Sequence, residues 1–279
     1  MYRVAALLLA LLAFGCGGKE ETPSAHKEHE DKTTPAGHSH SHGPHDSHRP
    51  ALTTLDVKSQ GEAKAGELTR LTLAIPGADG KPVTNFEAVH DAKVHLIVVR
   101  EGLDHFAHLH PEVKEGTGEL TARYTFPLGG TYHLFADYKP HGKTQATAVA
   151  SLAVTGEKPS SPLLTVTAPG TVKGDGLTGK VTLEGVKAGG EGRVRFELSG
   201  DDGNQALDLD PYMGAMGHLV VVSADAKRYV HAHPVEEKAA PKNVVAFEAH
   251  FAAPGLYKGW GQFKRGGKVR VVPFVIQVP

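Results

Sequence analysis

The sequence has little sulfur and almost no charge imbalance, and both features exclude classes of protein. One cysteine stands among 279 residues, so neither a disulfide framework nor a metal site of several thiolates can form within one chain. Lysine and arginine total 30 against 31 aspartates and glutamates. Without a basic excess, nucleic acid is not an expected partner. Histidine is abundant, with 18 residues, and this directs any metal chemistry towards imidazole nitrogen.

Long hydrophobic runs are also scarce. The longest, Val4 to Phe14, has eleven residues and ends just before Cys16, which is too short to span a bilayer. Residues 1–15 are predicted to be a lipoprotein signal peptide. The junction resembles a bacterial lipobox, although Leu12 precedes the cysteine by four residues where three is usual. Lipidation of Cys16 would anchor the chain in the cell envelope, at the outer membrane or periplasm of a two-membrane bacterium. An ordinary signal peptide with an incidental cysteine is the alternative.

Residues 16–50 contain almost no apolar side chains, and such a segment cannot bury enough surface to fold. We expect a disordered tether that carries the lipidated cysteine. Its run GHSHSHGPHDSH alternates histidine with small residues, a pattern typical of weak metal collection. The histidines concerned are His38, His40, His42, His45 and His48. A polar spacer without metal function is the alternative.

From residue 51 onward, short runs rich in Val, Leu, Thr and aromatic residues alternate with Gly, Pro and Asp-Gly turns. No stretch has a convincing helical period. This texture predicts an all-β protein built from antiparallel β-sandwiches.

An internal repeat divides this part of the chain in two. VHLIVVREGLDHFAHLHPE at residues 94–112 matches GHLVVVSADAKRYVHAHPVE at residues 217–236, with an offset of 123 residues between the histidines. Further downstream the offset is 125 residues. We therefore predict one sandwich at residues 51–156 and a second at 160–279, joined by the linker GEKPSSP.

Each matched segment reads as a β-hairpin that gathers three histidines. If the first turn is centred between Gly102 and Leu103, His95 faces His110 and lies diagonally opposite His108. Alternation then puts all three on one face of the hairpin. The second copy, with its turn centred between Asp225 and Ala226, predicts the same arrangement. Its histidines are His218, His231 and His233.

Three convergent imidazoles, found twice, favour metal ligands. The alternative is that histidines pair across strands through hydrogen bonds alone, and a duplication would preserve that arrangement equally well. His90, His105, His133, His141 and His250 have no matching histidine in the other repeat. We assign them by default to the surface or the core, with His133 and His141 as candidates to extend the first site.

Imidazole does not select among zinc, copper, nickel and iron, but thioether sulfur favours Cu(I). Met213 and Met216 precede His218 in the run PYMGAMGH. Copper is therefore the expected metal and zinc the alternative, with both methionines as candidate ligands of the second site. The other possibility is that these methionines fill gaps in the core.

The two hairpins, with FPLGGTYHLFADYK in the first repeat, resemble bacterial secreted proteins with YtkA-like or CopC-like immunoglobulin-type sandwiches. The resemblance covers both domains, and its most specific part is the His-x-His-Pro end of each hairpin. It implies an immunoglobulin-like fold and a role in copper handling or heavy-metal resistance. This chain departs from the CopC pattern, because a lipidated cysteine would replace the free N-terminal amine that can bind Cu(II).

Taken together, these features predict an exported lipoprotein that serves in metal buffering, metal resistance or metal delivery. Its expected partners are metal ions, the membrane and a metal-transporting or metal-accepting envelope protein. One alternative is a mononuclear metalloenzyme, although no general base or nucleophile stands out. Its best candidate acid is Asp137, whose counterpart is Gln262. A structural or adhesive module with incidental histidines is the other.

Overall fold

A computed structural model gives the structure, and it describes residues 52–237 and 240–279. Cys16, the apolar run and the tether histidines lie outside these residues. The regular elements of the described part are all strands, which confirms the all-β prediction. In the same part of the chain, no helix is long and apolar enough to cross a membrane.

The first repeat contains ten strands. They are β1 (Leu52–Thr54), β2 (Asp56–Ser59), β3 (Leu68–Ala74), β4 (Phe86–Glu87), β5 (Val94–Arg100), β6 (Phe106–Leu109), β7 (Glu112–Lys114), β8 (Glu119–Thr125), β9 (Gly130–Pro140) and β10 (Ala146–Val154). One sheet has the order β2-β3-β8-β7, and the other has the order β1-β10-β9-β5-β6, with β4 also paired to β9. This is the strand order of an immunoglobulin-type sandwich, with a four-stranded sheet facing the sheet of the central hairpin.

The second repeat also contains ten strands. They are β11 (Gly170–Lys173), β12 (Leu177–Glu184), β13 (Gly190–Gly200), β14 (Leu209–Asp210), β15 (His218–Ser223), β16 (Tyr229–Ala232), β17 (Pro234–Val235), β18 (Val244–Phe251), β19 (Gly255–Arg265) and β20 (Lys268–Val278). Its sheets follow the same plan, as β11-β12-β13-β18-β17 and β14-β19-β15-β16, with β20 paired to β19. The predicted tandem immunoglobulin-like sandwiches are confirmed.

A tyrosine near the start of the same strand marks both copies. Tyr132 in β9 donates its hydroxyl to the Leu128 carbonyl at 2.9 Å, and Tyr257 in β19 donates to the Ala253 carbonyl at 2.8 Å. Such a tyrosine corner secures the crossing between the two sheets in immunoglobulin-type folds. The duplication therefore preserved local detail as well as strand order.

The central hairpin strands β5 and β15 are buried on both faces, since both repeats belong to one compact unit. Leu96 and Val98 pack into the core of their own sandwich. Ile97 and Val99 point the other way and pack with Val220 and other side chains of the second repeat in a separate apolar cluster. Two-sided burial explains why both strands read as continuous apolar runs instead of alternating ones.

Two aromatic stacks connect the repeats across this interface. Phe106 stacks on Trp260 with ring centroids 4.8 Å apart, and Phe135 stacks on Tyr229 at 4.7 Å. Phe106 corresponds to Tyr229 in the repeat, and Phe135 corresponds to Trp260. The two stacks are thus the same contact made twice, and the sandwiches meet through equivalent faces.

Candidate metal centre

Both hairpins have the register that the sequence predicted. In the first, Leu96 pairs with Leu109 and Ile97 pairs with His108. In the second, Leu219 pairs with Ala232 and Val220 pairs with His231. The predicted turn centres also hold, because residues beside them adopt the left-handed conformation, with φ of 59° at Leu103 and 53° at Ala226.

This register brings the first three histidines together. His95, His108 and His110 each offer a ring nitrogen, and these atoms all lie within 4.8 Å of one another. His95 directs Nε2 at the Val89 carbonyl, 2.9 Å away, so Nε2 must carry the proton. Its lone pair is therefore on Nδ1, which faces His108 Nε2 at 3.0 Å. We call these residues the first triad, and they could hold a metal ion.

The second triad consists of His218, His231 and His233, whose ligand atoms also lie within 4.8 Å of one another. His218 donates Nε2–H to the Tyr212 carbonyl at 3.0 Å, the counterpart of the bond from His95 to Val89. Three ring nitrogens are then buried without a hydrogen-bond partner in the described part of the chain: His218 Nδ1, His231 Nε2 and His233 Nε2. Buried polar atoms in proteins are normally paired, so three convergent exceptions fit a metal ligand set.

The middle histidine of each triad is oriented by a residue of the opposite repeat. His231 Nδ1 lies 2.8 Å from Asp137 Oδ2, and both side chains are almost fully buried. His108 Nδ1 lies 3.0 Å from Gln262 Oε1. Asp137 and Gln262 are counterparts in the repeat. A partner on the far ring nitrogen is how proteins orient metal-binding histidines and raise their basicity.

Asp137 is held by more than the histidine. Thr147 donates its hydroxyl to Asp137 Oδ1 at 2.7 Å, and Tyr229 donates to Oδ2 at 2.6 Å. Burial raises the pKa of Asp137 to about 6, although both hydroxyl bonds act in the opposite direction. The carboxylate is therefore largely ionised at neutral pH, and it accepts a hydrogen bond from His231 Nδ1–H instead of donating one.

Burial favours the neutral form of five triad histidines, namely His108, His110, His218, His231 and His233. It lowers the pKa of His110 to about 4 and that of His218 to about 4. The pKa values of His108, His231 and His233 are lowered further, first by burial and then by neighbouring histidines. Neutral imidazole is the form that binds metal, because protonation occupies the ligand lone pair.

His90 is the site residue that the sequence interpretation missed. It belongs to the first repeat, yet its ring stacks on His233 with centroids 3.6 Å apart and lies 5.8 Å from His218. It occupies a tight turn with φ of 48°, and its counterpart Met213 has φ of 51°. The sequence repeat already matched His90 to Met213. Only the packing of the two domains reveals that the turn of His90 reaches the second triad.

The remaining candidates lie away from these contacts. His133 Nδ1 is 3.4 Å from Ser151 Oγ, and His141 Nδ1 is 3.6 Å from Glu87 Oε1. Neither belongs to the two groups that could hold a metal, so they do not extend the first site. Met213 is half-buried, and Met216 is 36% exposed.

The chain has low similarity to known structures. A two-domain fibronectin type III segment of chicken tenascin is 9% identical, with 80% of this chain and 98% of that chain covered and a TM-score of 0.24. A Ca²⁺-stabilised adhesin of an Antarctic bacterium is 7% identical, with 82% and 49% covered and a TM-score of 0.26. No curated protein matches the sequence.

A family model matches both repeats. It is described as a domain of unknown function, DUF8832, and it covers residues 51–155 and again residues 171–279. Each match contains one complete hairpin with its histidine triad. The chain therefore belongs to the DUF8832 family and carries two copies of its domain.

Proposed function

We propose that this protein binds transition-metal ions through its two histidine triads, with copper as the metal and zinc as the alternative. The observation that carries the proposal is the set of three buried, unpartnered nitrogens of the second triad. Leaving a buried polar atom unpaired costs roughly 1–3 kcal/mol. A metal ion at the triad would compensate all three atoms at once, whereas a structural role would leave them unexplained.

The test is metal binding by the full chain and by variants that each lose one ligand. His110→Ala removes the most accessible ligand of the first triad, whose ring is still partly desolvated, and His233→Ala removes a half-buried ligand of the second. His141→Ala makes the same chemical change at an exposed histidine outside both triads. Competition titration with Cu(I), Cu(II) and Zn(II) should give weaker binding for the first two variants and parental binding for the third. Equal binding by all three variants would exclude the triads as metal sites.

We propose copper over zinc because of Met213, one of the two methionines that precede His218. His90, the counterpart of Met213, contacts the triad of the opposite repeat. Because the two repeats meet through equivalent faces, Met213 should likewise face the first triad, and we assign its thioether to that triad. Its position just before His218 in the sequence had pointed to the second triad. Met213→Leu roughly keeps the side-chain volume and should weaken Cu(I) binding, since it removes a soft donor. Met216→Leu is the matched control, and an equal effect of both variants would contradict the assignment.

We further propose that the protein acts in the cell envelope, anchored by a lipid on Cys16, and that it buffers metal or delivers it to an envelope acceptor. Cys16→Ser should release the exported protein from membranes, and a variant that stays membrane-bound would refute the anchor. Deleting residues 19–50 should reduce the number of weakly bound metal ions while leaving the two triads saturable. An unchanged stoichiometry would argue that the tether histidines only form a spacer.

A further inference from the structure

We propose that the two triads are the halves of one dinuclear metal centre assembled at the domain interface. This inference rests on the metal binding proposed above. It adds that the two ions occupy neighbouring positions and share an environment, instead of filling two remote and independent sites. The ligand class is a pair of transition-metal ions of borderline softness.

The rings of one triad contact the rings of the other. His95 and His231 have centroids 5.3 Å apart, and His108 and His231 have centroids 5.4 Å apart. Within the triads the corresponding distances are similar, at 5.2 Å for His95 and His108 and 5.6 Å for His218 and His231. Aromatic rings at such distances are in direct contact. The six imidazoles therefore form one continuous cluster.

The orienting residues join the two halves as well. Asp137 lies directly opposite His95 in the pairing of β5 with β9, and its carboxylate accepts from His231 of the other repeat. Gln262 lies directly opposite His218 in the pairing of β15 with β19, and it contacts His108. Each orienting side chain thus stands next to a ligand of one triad and bonds a ligand of the other. Asp137 and Gln262 therefore connect the surroundings of one proposed ion to a ligand of the other.

The turns that precede the two hairpins cross between the halves in the same way. His90 of the first repeat stacks on His233 of the second. Tyr212 of the second repeat contacts His108 of the first, with ring centroids 6.5 Å apart. A Cβ placed on Gly214 would lie 3.5 Å from Asp91 Oδ2, so the two turns face each other. Neither triad is enclosed by its own domain alone.

Two ions are expected rather than one because each triad already offers three convergent nitrogens within 4.8 Å. Three imidazoles form a sufficient protein ligand set for one transition-metal ion, with a further position open. A single ion shared between the halves would use only part of each set.

Cupric ion is the probe, because two neighbouring Cu(II) ions couple magnetically and two distant ones do not. The full chain is titrated with Cu(II) and followed by electron paramagnetic resonance, with bound copper measured in the same samples. We expect two ions at the triads per chain and, at saturation, a spin signal well below two isolated Cu(II) ions, with dipolar broadening or a half-field transition. The titration is repeated on a chain with residues 19–50 deleted, so that copper bound by the tether histidines is not counted.

His110→Ala and His233→Ala should each keep one bound Cu(II) and restore the signal of an isolated ion, while His141→Ala should behave as the parent. Two bound ions with full, uncoupled signals would overturn the dinuclear centre and leave metal binding intact. One ion per chain, weakened by either variant, would overturn it in favour of a single shared site. Absence of binding in a folded protein, judged by circular dichroism, would overturn the proposed function itself.

Discussion

At the scale of single residues, the two triads differ most at the group that orients the middle histidine. Asp137 presents a carboxylate. While it is ionised, it can accept a hydrogen bond from His231 Nδ1–H but cannot donate one. Gln262 presents an amide, whose oxygen accepts and whose nitrogen donates, so it defines the tautomer of His108 less strictly. The second triad therefore has the more firmly preorganised middle ligand.

Replacing Asp137 with Asn should weaken metal binding at the second triad by about 10–100-fold, the usual effect of losing a partner of a metal-binding histidine. The measurement is competition titration in a His110→Ala background, where the second triad remains intact. Asp175→Asn, at an exposed position, is the matched control for the change of a carboxylate to an amide. Unchanged affinity in the Asp137 variant would show that this carboxylate serves only the domain interface.

The metal-free protein should lose stability in mild acid. In the unfolded chain an imidazole titrates near 6.5, while in the folded chain the pKa of His110 and that of His218 are each lowered to about 4. Between these values the unfolded state binds more protons, so the free energy of unfolding falls as pH decreases. Asp137 opposes this trend, because its raised pKa of about 6 lets the folded state take up a proton.

Urea unfolding of chelator-treated protein at about pH 7.5 and about pH 5 measures this dependence. His110→Ala should show a smaller loss, since it removes one group whose pKa is lowered. A free energy of unfolding that is constant or higher at the lower pH would contradict the prediction. The same lowered pKa values mean that metal binding should persist to lower pH than free imidazole would allow.

At the scale of elements, the sequence was sufficient for the hairpins but not for their surroundings. The register of β5–β6 and β15–β16 could be predicted because a one-residue slip would send His95 and His218 to the opposite face, and the two repeats agreed. Two antiparallel sandwiches followed from the all-β texture and the repeat, whereas their immunoglobulin-like arrangement was implied by the family resemblance. Packing between the domains was not predictable, because a strand buried on both faces, such as Val94–Arg100, does not show what covers its second face.

The same limit explains the error over His90. Its neighbours in the chain gave no sign that the turn from Val89 to Ala92 reaches across an interface. The sequence interpretation therefore assigned His90 by default to the surface or the core. Contact with His233 arises from the relative placement of two sandwiches, which depends on side chains scattered through β5, β9, β15 and β19.

The crossed turn predicts which triad a His90 substitution affects. His90→Ala should weaken metal binding at the second triad by roughly tenfold, because the ring stacked on His233 helps to hold that ligand in place. Comparing the His90→Ala, His110→Ala double variant with His110→Ala alone isolates the effect, and His141→Ala controls for loss of a histidine. A loss confined to the first triad would contradict the crossed arrangement.

At the scale of the whole molecule, the same strands form the domain interface and the proposed metal centre. The strands that carry His95 and His218 continue directly into the interface cluster through Ile97, Val99 and Val220. The aromatic stacks lie on the same faces as the histidines, since Phe106 and His108 are two residues apart in β6 and therefore point to the same side. Whatever separates the sandwiches should therefore separate the triads.

Trp260 allows this coupling to be tested without touching a ligand. It is 4% exposed and stacks on Phe106 of the other repeat. Trp260→Ala should lower the free energy of unfolding by about 3–5 kcal/mol, as expected for a buried aromatic side chain. It should also weaken metal binding at both triads by roughly tenfold, because Asp137 and Gln262 would no longer meet the opposite histidines reliably.

The matched control is Phe126→Ala, which removes a fully buried aromatic ring from the internal core of the first sandwich, away from the interface cluster. It should cost a similar free energy of unfolding. Provided that both variants are titrated where circular dichroism shows them folded, only Trp260→Ala should lose metal affinity. Equal affinity in the two variants would mean that the triads hold metal independently of domain pairing. A loss specific to Trp260→Ala would instead show that the duplication acts through the contact between its two copies, since neither domain alone supplies the group that orients its own middle histidine.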